Sequence, residues 1–223
     1  AVFLTKLSHT KVELTYNLMR TFVAGLAFAM PFSLVYQMMS DRMKGLQKSE
    51  KVIKGLPFAA GFTAGTAVSI AGNMHYVIYA QIIPLIEKLT GKEVSSYWFP
   101  DATRYIGYNP YREEDRTIHE FPCYSFVLGD LHAHVVNIMF VLLVIALLYV
   151  WLRGVRKKTV PVETSMKDGK FWKEQLLMPH LLVISALLGM FQWTNFWDFV
   201  IYYVVTLGTV LFANIIRFQG KIK

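Results

Sequence analysis

Asp130, His132 and His134 stand in the order DxHxH, ten residues after Glu120, among aromatic and apolar residues and just ahead of a long apolar run. A carboxylate in such surroundings can serve as a general base toward an acceptor hydroxyl or bind a divalent cation. Its structural alternative is the N-cap of the following helix, a position that Asp favours. With His132 and His134, Asp130 makes a set of plausible metal ligands. On a regular helix, however, the two imidazoles would diverge by about 200° and meet only on an extended or turning backbone. Imidazoles hydrogen-bonding at a membrane interface are the simpler explanation. Glu120 is a second candidate acid, or a partner that positions Arg104. Arg104 is suited by its planar fork to clamp a lipid phosphate, with a structural pair to Asp101 or Glu120 as the alternative.

Three further groups can contact a substrate. Asn73 and His75 lie inside an apolar stretch, where each polar group must find a partner or water. Trp98, in the stretch YWFPDATRYI, is a further ring that can contact a sugar. Asn195 and Asp198 adjoin Trp193 and Trp197, an arrangement that can stack a sugar face and bond its hydroxyls, or form an interfacial aromatic belt around a polar turn.

Membrane spans must position these residues. The chain of 223 residues is 54% hydrophobic and 15% aromatic with charge on 17% of positions, too apolar for an ordinary soluble domain. Its formal net charge of +8 does not point to nucleic acid, because Lys and Arg sit between apolar runs instead of interleaving with exposed aromatics. Cys123 is the only cysteine, which excludes an internal disulfide and a cysteine-based zinc cluster built from this chain alone. A hydrocarbon core about 30 Å thick takes roughly 20 apolar helical residues. The reading is an all-α polytopic helix bundle of about five spans, over 14–39 (broken by Pro31), 56–85, 134–152, 176–194 and 197–216.

Loops 40–55 and 153–175 collect Lys and Arg and are expected in the cytoplasm. Loop 87–133, with its short helices, carries more acids than bases and is expected outside, where it could share a pocket with the Asp198 turn. The stretch 108–116, with Glu113, Glu114 and Asp115, reads as solvated loop. The chain opens at Ala1 without a signal peptide and is read as a piece of a larger protein, whose remaining spans are expected partners beside the bilayer.

The run TIHEFPCYSFVLGDLHAHV at 117–135 resembles the motif of the YYY family of uncharacterised polytopic membrane proteins, whose usual form is close to INEFPFFSFLLGDLHPHV. AGNMHY at 71–76, YWFPDATRYI at 97–106 and TNFWDF at 194–199 are similar to family elements in the same order. His119, Cys123 and Ala133 depart from the usual Asn, aromatic and Pro. The resemblance implies no established reaction. In hydropathy and in its acidic outer loop the chain is also similar to integral membrane glycosyltransferases that use polyprenyl-phosphate sugars, an analogy at the level of fold. The function expected is therefore transfer of a sugar from a lipid-linked donor. A transporter, with His75, Asn73, Asp130 and His134 along a polar path, and a noncatalytic scaffold that binds through the small-residue second span are the alternatives.

Overall fold

The computed structural model describes residues 2–46, 49–103, 117–157 and 178–217, and every regular element among them is helical. In chain order these are α1 (Val2–Ser8), α2 (Val12–Met43), α3 (Glu50–Ser69), a π-helical turn (Val77–Ile82) leading into α4 (Ile83–Leu89), a 3-10 turn (Phe99–Thr103), α5 (Pro122–Leu128), α6 (Ala133–Lys157), α7 (Pro179–Thr194) and α8 (Phe196–Arg217). The chain divides into two compact units, Ala1–Leu131 and His132–Lys223.

In the first unit α2 and α3 pack side by side. Their approach is close because α3 places glycines at the contact. A Cβ on Gly61 would come within 2.7 Å of the Phe32 carbonyl oxygen, and one on Gly65 within 2.9 Å of the Phe28 carbonyl oxygen. Small residues of this kind let helix backbones meet where no hydrophobic driving force acts between spans. Phe28, Phe32 and Tyr36 of α2 stack along one another, and Phe58 and Phe62 of α3 meet them edge-on.

Pro31, expected to interrupt the first span, does not. It is buried within an uninterrupted α2 of 32 residues, about 48 Å long at 1.5 Å per residue. Proline removes only one ladder donor, and membrane helices tolerate that loss where neighbours pack on the site.

The apolar stretch 56–85, by contrast, is not one helix. α3 ends at Ser69, residues 71–73 are irregular, Met74 takes a left-handed backbone with φ of 65°, and helix resumes at His75 and passes into the π-helical turn at Val77. Gly72 and Asn73 favour irregular backbone, and the Asn73 side chain accepts the His75 N–H two residues on, an Asx turn that competes with helix continuation.

The second unit packs α6, α7 and α8 on one another. Its core is Val144, Leu148, Trp151 and Val155 from α6, Ile184, Leu188 and Phe191 from α7, and Ala213 from α8. Only Asn195 separates α7 from α8.

Among the described residues three helices are long and apolar enough to cross a membrane: Val12–Met43, Ala133–Val155 and Phe196–Ile216; α7, at 16 residues, is apolar and shorter. The chain is an all-α polytopic membrane protein. Most of the basic loop 153–175 lies outside the described residues.

Candidate functional site

Three of the sequence elements singled out above come together in the first unit. Phe121 lies against the irregular segment after α3, so closely that a Cβ on Gly72 would come within 2.8 Å of its ring. From there the aromatic contacts run on without a gap. Phe121 meets Tyr124 at 5.8 Å between centroids, Tyr124 stacks on Phe99 at 5.3 Å, Phe99 meets Tyr76 at 6.0 Å, and Tyr76 meets Tyr97 at 5.5 Å. His75 closes the series, stacked on Tyr79 at 4.4 Å and tilted on Tyr97 at 5.7 Å. AGNMHY, WFPDAT and EFPCYSF thus share one continuous aromatic surface.

Polar bonds fix this surface. The Asn73 amide donates to the Ala102 carbonyl. His75 Nδ1 lies 3.1 Å from the Tyr97 hydroxyl. Burial raises the pKa of Tyr97 above the usual tyrosine value, and the charge of Asp101 and then Tyr76 push it the same way. The phenol therefore stays protonated and able to donate. The 3-10 turn is pinned at its end by the Thr103 hydroxyl on the Pro100 carbonyl and by the His119 N–H on the Thr103 carbonyl at 2.7 Å. That last bond brings the irregular residues 117–120, with half-buried Glu120, beside the turn. Trp98 is largely exposed next to it. Arg104, the expected phosphate clamp, lies outside the described residues, as does the stretch 108–116.

Asp130 follows the end of α5. Gly129 terminates that helix in the left-handed region with φ of 75°, and the N–H groups of Gly129 and Asp130 both return to the Ser125 carbonyl. This is a glycine C-cap, and it leaves the Asp130 carboxylate on the exposed side of a fixed turn. The N-cap position of α6 falls instead on His132, whose carbonyl receives the Val135 and Val136 N–H groups. The capping explanation for Asp130 thus gives way to a turn position.

The turn is gripped from α2. The Tyr16 hydroxyl donates to the Gly129 carbonyl and accepts from the Leu131 N–H, both at 3.2 Å. One helical turn on, the Arg20 guanidinium fills the space where a side chain at position 129 would stand. Sequence reasoning passed over both residues. The signal was present in Arg20, a cation inside an apolar run, since ionisable groups at such places face a protein interior or cavity.

In the second unit the rings of His132 and His134 lie nearly parallel, 9° apart with centroids at 5.8 Å. Their divergence on a helix is avoided because His132 precedes α6. Among the described residues no group of three or more His, Cys, Asp or Glu side chains is gathered to hold a metal ion. The TNFWD turn is tied to α6. Asn137, 2% exposed, donates from one amide nitrogen to Thr194 Oγ1 and Asp198 Oδ2, each at 3.0 Å, and Asn195 donates to the same Asp198 oxygen at 3.0 Å. Trp193 and Trp197 project outward, 91% and 72% exposed, as interfacial tryptophans do.

Comparison with curated proteins and with solved structures finds no match to this chain. A family model described as an uncharacterised membrane protein (DUF2298) matches residues 1–220, and with its apolar spans and aromatic segments covered end to end, the chain belongs to that family.

Proposed function

We propose that the chain is a glycosyltransferase-like membrane protein that takes a sugar from a polyprenyl-phosphate donor at the extracytoplasmic face. One observation carries this reading: segments far apart in sequence build a single aromatic surface with polar groups fixed at its edge, next to the turn that presents Asp130. Aromatic faces bind the apolar faces of sugars, and Asn73, His75 and Tyr97 supply hydroxyl partners beside them. Asp130, exposed on a rigid turn, deprotonates the acceptor hydroxyl as the glycosyl bond to phosphate breaks. Glu120 stands as the second acid, and Trp98 as a sugar-facing ring. Stabilising the charge on the departing phosphate is the larger task, and a cationic side chain serves it best.

The test is transfer by the full chain in proteoliposomes supplied with polyprenyl-phosphate sugars. Asp130→Asn is expected to lower the rate by about 100-fold or more, the span of a general base, with thermal stability unchanged. Full activity in that variant removes Asp130 from the chemistry, and no transfer by the wild type from any lipid-linked sugar sinks the reading.

The irregular segment between α3 and the π-helical turn favours one other reading, since discontinuous helices carry the binding sites of many transporters. Uptake of a solute into the same proteoliposomes, without transfer, would select it.

A further inference from the structure

The break after α3 carries an imidazole whose position is set from three sides. Asn73 Oδ1 accepts the His75 backbone N–H, Tyr79 stacks on the ring at 4.4 Å, and the Tyr97 hydroxyl lies 3.1 Å from Nδ1. Asn73 is itself fixed by its amide bond to the Ala102 carbonyl. The ring is half-buried, yet Nε2 bonds no described residue and is not among the polar atoms sealed from the surface. Of the polar side-chain atoms on Asn73, His75 and Tyr97, it alone has no bond to a described residue.

The hydrogen on that nitrogen follows from the phenol. The Tyr97 hydroxyl meets no other acceptor among the described residues, so its proton goes to Nδ1. A neutral imidazole that accepts at one nitrogen carries its hydrogen on the other. Nε2–H is therefore a donor on a ring held in place, at the end of the aromatic surface that runs through Tyr97, Tyr76 and Phe99. The charge that acts on Tyr97 is the negative one of Asp101, which opposes a phosphate at this end and leaves a neutral hydroxyl unopposed. An oriented donor beside aromatic faces matches one hydroxyl of a sugar whose C–H face lies on the rings.

We infer that His75 donates from Nε2 to one hydroxyl of the transferred sugar, with Tyr97 and Asn73 as positioning residues that aim the ring. This rests on the reading of the chain as acting on lipid-linked sugars, and it names the group that selects among them. A site built to bond a hydroxyl discriminates against the analogue that lacks it, the more so when the donor is already fixed in place.

The full chain in phosphatidylcholine nanodiscs is titrated with polyprenyl-phosphate glucose, mannose and galactose and with the monodeoxy analogues of whichever binds, and bound lipid is read by native mass spectrometry. One monodeoxy analogue is expected to bind the wild type about three- to tenfold more weakly than its parent, the size of one neutral hydrogen bond. In His75→Phe, which keeps a ring against Tyr79, the parent and that analogue should bind alike. Tyr97→Phe should narrow the same gap, whereas a merely structural role would weaken both ligands by one factor and leave their ratio unchanged. An arm on the wild type needs no variant to fold. His75 is the only histidine that follows a methionine, so carbonyl-13C Met with 15N His labelling singles it out by NMR. Its Nε2 resonance should move with the sugar lipid and not with sugar-free polyprenyl monophosphate. A wild-type ratio kept in His75→Phe overturns the inference, as does an unmoved Nε2 resonance or a wild type that binds none of the three sugars. Because the readouts are of binding, a chain that shows the hydroxyl preference but transfers no sugar refutes the proposed reaction and leaves this contact standing; transfer with an unmoved Nε2 does the reverse.

Discussion

The contact between Asn137 and the TNFWD turn gives a quantitative prediction. Asn137 is 2% exposed and sends both its bonds to α7 and α8 residues, Thr194 and Asp198, at 3.0 Å. Hydrogen bonds between membrane helices average about 0.6 kcal/mol and reach about 1.7 kcal/mol, because the unfolded state in the membrane also finds partners. Asn137→Ala loses two such bonds, so about 1–3 kcal/mol of stability should go with it. Asp198→Ala loses the Asn137 bond and the Asn195 bond.

Only the Asn137–Asp198 bond is common to both substitutions. A double-mutant cycle should therefore return a coupling of about 0.6–1.7 kcal/mol, with the double variant less destabilised than the sum of the singles. The assay is reversible unfolding of the full chain in mixed micelles by SDS titration, followed by circular dichroism. Additivity within about 0.3 kcal/mol would refute the reasoning, showing that the buried amide does not hold the turn in the folded protein.

Helix approach and thiol chemistry give two more expectations. Gly65→Ala puts a methyl 2.9 Å from the Phe28 carbonyl oxygen and should destabilise the α2–α3 pair by about 1–3 kcal/mol, whereas Gly55→Ala, which meets nothing within 4 Å and only gains helix propensity, should keep or raise the same unfolding midpoint. Burial raises the Cys123 thiol above its usual pKa, so the reactive thiolate is scarcer at neutral pH than for a free thiol. Maleimide labelling of the folded chain should be slow near pH 7 and rise about tenfold for each pH unit below that pKa, and a rate equal to that of the denatured chain at every pH would contradict the burial. The sign is fixed by the raised value: folding favours the protonated thiol, so the stability Cys123 contributes is present at low pH and lost as pH rises past the unfolded thiol's pKa.

Apolar run length made the all-α membrane class legible, because a span is a one-dimensional property of composition. Runs cannot show where backbone bonds fail. Pro31 looked like an interruption and is none, while Gly72 and Asn73, embedded in an apolar stretch, end a helix through a side chain that bonds the backbone two residues on. Asp130 was legible as an unusual carboxylate, but its place after a glycine C-cap depends on where α5 stops. The Asn73, His75 and Trp98 segments were legible singly. Their joining depends on ring contacts between residues more than twenty positions apart, Tyr76 with Phe99 and Tyr124 with Phe99, and on the close approach of Phe121 to Gly72. Tyr16 and Arg20 were hidden for the opposite reason: they lie on a helix that reads as simple membrane anchor, and only its packing on the Gly129 turn shows what they hold.

The Tyr16 hydroxyl has one proton and uses it on the Gly129 carbonyl, while its oxygen receives the Leu131 N–H. The loop therefore has no slack against the helix. α2 is about 48 Å long and a bilayer core about 30 Å, so the helix must lean or protrude, and the amount depends on the lipid around it. Through a single phenol, any lean of α2 is passed on to the Gly129–Leu131 turn that carries Asp130.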